Sequence, residues 1–415
     1  MLAGKLKEIK RMIDICPKDK CVGCEACRNI CPRSCISFEQ DKEGFFVPVV
    51  NQDKCVNCQL CRKVCPAVSI PELHPAQSTV FAAWALDETI RQSSSSGGVY
   101  SVFSTHCINL GGVVNGVFFN DENFAVHGIF DNAEAIKPCR GSKYVQSCPG
   151  NIYRDVKDAL DNGKTVFFTS TPCQVSALYK FLGKDYENLY TCDFICHGVP
   201  SPQYLKECLT RITSGAKKIS QVTFRKLSGW GGFEINVSAD DKCFNEKVIS
   251  HSYIKSFLAG SNYRYACYSC PFARNERIAD ITIGDFWGLG KYKPFLHDTR
   301  QGVSLLIVNS KKGRKLLSEV ENQLFLEQRS FKEAERDNHQ LYRNVSKPEN
   351  REEFYEDVKT LADREILRKY GISMPFGKRL LLFAIRVFRV MLHRVLCYIF
   401  LKFTNVLRLK KRNNG

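Results

Sequence analysis

The sequence predicts a small cysteine-rich α+β unit, then a larger α/β domain on a mixed sheet, then a basic amphipathic C-terminal helix. Three observations carry this. Many of the 21 cysteines fall in two matching runs near the N-terminus. Past residue 79 strand-like and helix-like segments alternate, the arithmetic of an α/β domain. From Phe376 to Gly415 there are ten Lys/Arg and no Asp/Glu, set among long apolar runs.

Composition bounds the rest. A chain of 415 residues, 44% hydrophobic and 25% charged, is ordinary for a folded protein, which excludes a disordered or low-complexity one. So many cysteines mean disulfides or bound metal. The opening stretch Met1–Arg11 breaks every apolar run with charge and does not read as a signal peptide, so the expectation is reduced thiols in the cytoplasm. Of the net charge of +17, the tail holds +10 and the first 375 residues +7. A charge confined to one hydrophobic tail, with no helix-turn-helix or similar motif, argues against a nucleic-acid partner.

Residues 1–70 form the first unit. Cys21-Val-Gly-Cys24-Glu-Ala-Cys27-Arg-Asn-Ile-Cys31-Pro32 is repeated by Cys55-Val-Asn-Cys58-Gln-Leu-Cys61-Arg-Lys-Val-Cys65-Pro66. Each is the Cys-x-x-Cys-x-x-Cys-x-x-x-Cys-Pro run of bacterial-type dicluster ferredoxins. Three thiolates on a tight loop cap three irons of a cubane, and the fourth, past a turn, serves the other cluster. Cys21, Cys24, Cys27 and Cys65 are therefore expected to hold one 4Fe-4S cluster, and Cys55, Cys58, Cys61 and Cys31 the second. Zinc is the alternative, but zinc sites draw four ligands in pairs rather than from two matching runs of four. Cys16 and Cys35 lie outside the pattern and read as bystanders.

A linker at 71–79, broken by Pro71 and Pro75, leads to the main domain at 80–345. Apolar spacing predicts a helix from Val99 to Leu110, strands at 113–119 and 124–130, and a helix at 151–161. A buried strand at 165–169, a helix at 175–182, a strand at 189–194 and a helix at 204–213 follow. A hairpin-like stretch from Gln221 to Phe244 is expected to make the sheet mixed. Cys173 and Cys196 each fall just past a strand end, where open α/β sheets gather ligands. With the pair Cys267-Tyr-Ser-Cys270-Pro271 they would complete a third four-thiolate site, for a cluster or for zinc. Cys192, four residues before Cys196, competes with it as ligand, and Cys139 and Cys148 are either ordinary small residues or a redox-sensitive pair.

Ser93-Ser-Ser-Ser96-Gly97-Gly98 runs into the helix beginning near Val99, an arrangement that lets backbone and a helix N-terminus meet a phosphate. Gly141-Ser142-Lys143-Tyr144-Val145-Gln146-Ser147 is a second polar, basic loop able to contact a nucleotide.

Taken in order, Ser-Ser-Gly-Gly at 95–98, Gly-Ser-Lys-Tyr-Val-Gln-Ser at 141–147, Thr-Pro-Cys-Gln at 171–174, Cys-His-Gly-Val-Pro-Ser at 196–201 and Ala-Asp-Ile-Thr-Ile-Gly-Asp-Phe-Trp-Gly at 279–288 resemble the coenzyme F420 hydrogenase/dehydrogenase beta-subunit family. The resemblance spans about Val80 to Val345. It implies an FAD-binding α/β domain with its own 4Fe-4S cluster on Cys173, Cys196, Cys267 and Cys270. It also implies a flavin near Ser96, Gly97, Gly98, Gly141, Ser142 and Lys143. The expected function is an iron-sulfur flavoprotein oxidoreductase, exchanging electrons with a redox partner protein or a small carrier. Lys143 could steady a reduced flavin or a phosphate. His197 could relay protons, and Asp285 could act as an acid or orient its loop. The alternative function is a non-catalytic electron relay.

At the C-terminal end, 346–375 reads as a solvated helical segment. In the tail, 376–415, Arg386, Arg389 and Arg394 divide the apolar run, so it reads as an interfacial helix rather than a span. Its basic end would add attraction to anionic lipid on the cytoplasmic face of a membrane.

Overall fold

The computed structural model describes residues 13–76, 79–225, 230–247 and 252–370. The expected amphipathic helix at 376–415 lies outside them. In the N-terminal unit, β1 (Ile36–Gln40) and β2 (Phe46–Val50) form an antiparallel hairpin. The Asp41 carboxylate caps its turn, accepting from the amides of Glu43 at 2.9 Å and Phe45 at 3.0 Å. The repeat in sequence is also a repeat in backbone. Gly23 and Glu25 in the first run, and Asn57 and Gln59 in the second, all take left-handed φ between 54° and 66°. Two such residues coil each loop between its cysteines, and a short helix follows, Ala26–Ile30 in one run and Leu60–Lys63 in the other.

The main sheet has eight strands. They are β3 (Thr79–Ala85), β4 (Val113–Phe119), β5 (Ala125–Phe130), β6 (Val166–Ser170), β7 (Leu189–Phe194) and three from the later chain. A separate three-stranded antiparallel sheet holds β8 (Ile219–Arg225), β9 (Phe233–Ala239) and β10 (Lys242–Lys247). The last main-sheet strands are β11 (Ile281–Asp285), β12 (Ser304–Val308) and β13 (Leu324–Arg329), giving the order β13-β3-β12-β11-β7-β6-β4-β5. The four central strands β11, β7, β6 and β4 are parallel, and the flanking pairs are antiparallel. The sheet is thus mixed, but not through the 221–244 hairpin, which builds the small sheet instead.

Period-two alternation sorts the core into layers. On β6, Phe168 packs with Tyr153 and Leu178 of the helices Ile152–Asp161 and Pro172–Leu182. Its neighbour Phe167 faces the other layer, with Phe103 of the helix Val99–Asn109, Val114 and Cys192. Both rings are fully buried, each contributing about 1.5–3 kcal/mol of apolar burial. A third core joins the small sheet to the helices Pro202–Ile212 and Ser252–Leu258 through Tyr204, Phe224, Val237 and Tyr253.

The segment expected to be one solvated helix is two, Arg351–Thr360 and Asp363–Lys369, and they pack into this third core through Phe354, Tyr355, Val358 and Ile366. Their polar residues reach inward as well. Arg351, with no exposed side-chain surface, makes a bidentate pair with Glu43 of the N-terminal hairpin, both bonds 2.7 Å. On the opposite side Tyr153 donates to the Cys24 carbonyl at 2.8 Å, and Asn29 to that of Gly150 at 2.7 Å. The N-terminal unit is therefore held against the sheet domain by polar contacts from the middle of the chain and from the helix Arg351–Thr360.

Candidate iron-sulfur and flavin sites

The N-terminal thiols gather as the spacing requires. Cys27 lies within electrostatic reach of Cys21, Cys65 and Cys61, and Cys24 within reach of Cys27 and Cys65. Cys31, Cys55, Cys58 and Cys61 line a separate small cavity. Cys16 and Cys35 are not bystanders. Cys16 hydrogen-bonds both Cys21 and Cys65 and by those bonds pulls them down to about 6 and about 7. The Cys35 sulfur lies 3.4 Å from that of Cys31, inside the same cavity wall. Spacing could not reveal either, because both reach their site from outside the repeated run.

A second cavity opens at the C-terminal ends of β6 and β7. Cys173, Cys196, Cys267 and Cys270 all line it, from three separate chain segments. Cys173 sits at the start of the helix Pro172–Leu182, with the Thr171 hydroxyl 3.2 Å from its sulfur. Burial pushes Cys173 up to about 11 and Cys267 to about 12, with the neighbouring Cys270 adding to both. A cationic cluster core would relieve that cost, since thiolates bind metal and thiols do not. Cys192 does not compete, because it is fully buried in the core around Phe167, on the other face of β7. Among the described residues no group of three or more His, Cys, Asp and Glu closes on a point as the ligands of a single ion would. The thiols instead line cavities, the thiolate donor set that iron-sulfur clusters use.

Beside the cavity lies a polar network that joins Ser147, Thr171 and Gln174 of the two quoted motifs to His127 and Asn115, which no motif signals. His127 sits between Asn115 Oδ1 at 3.2 Å and Ser147 Oγ at 3.0 Å. The Gln174 amide donates to Ser147 at 3.0 Å, and its oxygen accepts from Thr171 at 2.9 Å and Ser170 at 2.5 Å. Desolvation of this half-buried ring pushes His127 down to about 3, so the ring is neutral.

The two loops expected to meet a nucleotide do meet each other. The Ser142 amide donates to Ser95 Oγ at 2.9 Å, and Arg140 to Ser93 Oγ at 3.1 Å. Gly98, at φ +82°, caps the helix Val99–Asn109, while Gly97 is wedged against β3 and β12, where an added Cβ would stand 2.3 Å from the Ala83 carbonyl. Ser96 Oγ and Arg140 Nε are buried without a hydrogen-bond partner. Two such atoms at a Ser-Gly turn suit an anionic ligand.

Residues 163–334 match the family model for the C terminus of the beta subunit of coenzyme F420 hydrogenase/dehydrogenase, and residues 20–68 match that of the 4Fe-4S dicluster domain. The chain joins a 4Fe-4S dicluster domain to a domain of the F420 hydrogenase/dehydrogenase beta-subunit family. A chain of the F420-reducing NiFe hydrogenase complex from Methanosarcina barkeri is similar at 16% identity, covering 61% of this chain and 82% of that one with a TM-score of 0.42. No curated protein matches.

The span matched to the beta-subunit family runs from the start of β6 and holds all four cavity cysteines, His197 and Asp285. Ser96, Gly97, Gly98, Gly141, Ser142 and Lys143 precede it. His197 lines the cavity with its ring beside Phe257, and burial lowers it to about 4. Asp285, at the end of β11, is held by Arg225 and by Trp230 Nε1 at 2.9 Å, with Trp230 stacked on Trp287. Both its oxygens are thus engaged in fixing the loop after β11. Lys143 spends its ammonium on the carbonyls of Pro138, Arg140 and Gly141, at 2.9, 3.0 and 3.1 Å. Burial lowers it to about 8. In this arrangement it shapes its own loop. Cys139 packs over Gly116, and Cys148 pairs alongside β5. Among the described residues both are free thiols.

Proposed function

We propose that this protein is an iron-sulfur flavoprotein oxidoreductase with three 4Fe-4S clusters and one FAD. The observation that carries it is the convergence of Cys173, Cys196, Cys267 and Cys270 on one cavity directly beside the dicluster unit. Cys21, Cys24, Cys27 and Cys65 would hold the first cluster, Cys31, Cys55, Cys58 and Cys61 the second, and the cavity cysteines the third. When bound, the clusters carry single electrons and the flavin exchanges them for a two-electron, hydride-level transfer. Ser96, Gly97, Gly98, Gly141 and Ser142 would receive the flavin's phosphates, with Lys143 bracing their loop. His197, neutral and beside Phe257, lines the cavity without adding charge, and Asp285 braces the loop after β11 through Arg225 and Trp230. Cys24 packs in one core cluster with Cys173 and Cys270, which supports a path between the first and third ligand sets.

The acceptor belongs to the two-electron class, a deazaflavin or another reducible small molecule. The partner is a redox protein or such a carrier, and the tail at 376–415 binds an anionic membrane surface. The test compares two variants of the anaerobically purified full chain. Cys196→Ser should remove about four irons per chain, one cubane. Cys192→Ser should keep them all and cost about 1–3 kcal/mol of stability by burying a hydroxyl. Unchanged iron in Cys196→Ser, or one zinc in place of that iron, would overturn the third cluster.

A further inference from the structure

One buried cation stands between the first N-terminal thiol set and the cavity cysteines. Arg264 is 4% exposed. It precedes Cys267 by three residues, accepts the Cys267 amide on its carbonyl at 2.9 Å, and donates its own amide to Val199 at 2.8 Å, in the loop that carries Cys196. Its side chain points the other way. Nε donates to the Cys21 carbonyl at 2.6 Å, one terminal nitrogen reaches Cys21 Sγ at 3.5 Å, and the other donates to the Phe46 carbonyl at 3.1 Å and Gln146 Oε1 at 3.3 Å. The guanidinium is thus met by carbonyls, an amide and a thiol rather than by a carboxylate, so its charge is left in place. Beneath it is Gly23, where a Cβ would stand 3.0 Å from the guanidinium and 2.4 Å from Gln146 Nε2.

We propose that Arg264 is a positioning residue that sets the reduction potential of the cluster held by Cys21, Cys24, Cys27 and Cys65, and to a smaller degree that of the cavity cluster. This rests on the cluster assignments above. Adding an electron to a thiolate-bound cubane adds negative charge at a site of low dielectric, and a fixed cation in direct contact with a ligand sulfur stabilises the reduced form. The same residue lies three positions before Cys267 and is bonded through its backbone to Cys267 and to Val199 in the loop of Cys196, which places its charge near the cavity cysteines as well. It does not contact the ligands of the other N-terminal site. The expected order of effect is therefore first cluster, then cavity cluster, then the cluster on Cys55. By favouring the electron on the first cluster, Arg264 determines how readily electrons pass between the dicluster unit and the sheet domain.

The test is a redox titration of the anaerobic full chain followed by electron paramagnetic resonance, with signals assigned by loss in Cys24→Ala, Cys58→Ala and Cys196→Ala. Arg264→Gln should lower the first cluster's reduction equilibrium constant at least tenfold, about 59 mV for one electron. The Cys58-dependent signal should move less than twofold, and Arg264→Lys should hold the first cluster within threefold of the parent. An unmoved potential in Arg264→Gln with full iron, or an equal fall in Arg264→Lys, would overturn the proposal. If Arg264→Gln loses the first cluster, Gln146→Glu is read in its place. It sets a carboxylate against the guanidinium and should give the same tenfold fall, and no fall would overturn the proposal. Absence of a Cys196-dependent signal in the parent would overturn the cavity cluster alone, leaving the first cluster's shift to be read.

Discussion

At the residue scale, the chain keeps its charged and titratable groups buried by giving each a defined partner. His127 is the clearest case, neutral between Asn115 and Ser147 at the sheet's edge. Its value falls from 6.5 to about 3 through burial. The unfolded ring takes up a proton below about 6.5 and the folded one does not, so the stability it contributes is complete above that pH. It is lost as pH falls through the window down to about 3. His127→Gln should therefore flatten the acid side of the stability profile by about 1.4 kcal/mol per pH unit within that window. Urea midpoints measured from pH 7 to pH 4 check this, and an unchanged slope would contradict the neutral ring. The eight N-terminal ligand positions were legible in the sequence because a dicluster run imposes local spacing, whereas the cavity set, spread over about a hundred residues, rested on strand ends and on the family resemblance. The residues around them were not. His127 and Arg264 act across gaps of 12 to 243 residues, and no local pattern distinguishes them from ordinary core polar groups.

At the scale of elements, strand and helix segments from 99 to 213 followed their periodicity, with boundaries shifted by one to three residues where caps intervene. Pro172 lengthens one helix at its N-terminus, since a proline is accommodated in a first turn. Strand order was not legible, because β3 pairs with β12 and β13, more than 200 residues away, and pairing at that range leaves no mark on local composition. The most instructive difference is the pair of helices over 351–369. Charge on most of their positions made them look solvated, yet Phe354, Tyr355, Val358 and Ile366 fall on one buried side. Arg351 is consumed by Glu43, over 300 residues distant. Phe354→Ala should then cost about 3–5 kcal/mol, as for a filled core position. An exposed helix would lose less than about 0.5 kcal/mol for the same change, and denaturant unfolding separates the two.

At the scale of the whole molecule, the N-terminal unit is clasped from three directions: by Tyr153 and Gly150, by Gln146 and Arg264, and by Arg351. That clasp aligns the ligand sets of the dicluster unit with the cavity at the ends of β6 and β7. The proposed site is thus the product of topology, which brings Cys173, Cys196 and Cys267–Cys270 to one end of the parallel strands, and of docking, which brings Cys21 and Cys24 beside them. Among the described residues no helix is long and apolar enough to cross a membrane. The tail should nonetheless hold the chain at an anionic surface, each Lys or Arg adding on the order of 1 kcal/mol. Vesicle co-sedimentation should show strong binding by the full chain and little by one ending at Ser373, with salt weakening the former. Equal partitioning of the two would turn the tail into a protein-docking segment.

The cofactor content of the full chain, purified without oxygen, tests the central claim most directly. Three cubanes and one flavin require about twelve irons, about twelve acid-labile sulfides and one FAD per chain. About eight irons with no flavin would contradict it, leaving a dicluster relay in which the cavity cysteines hold nothing.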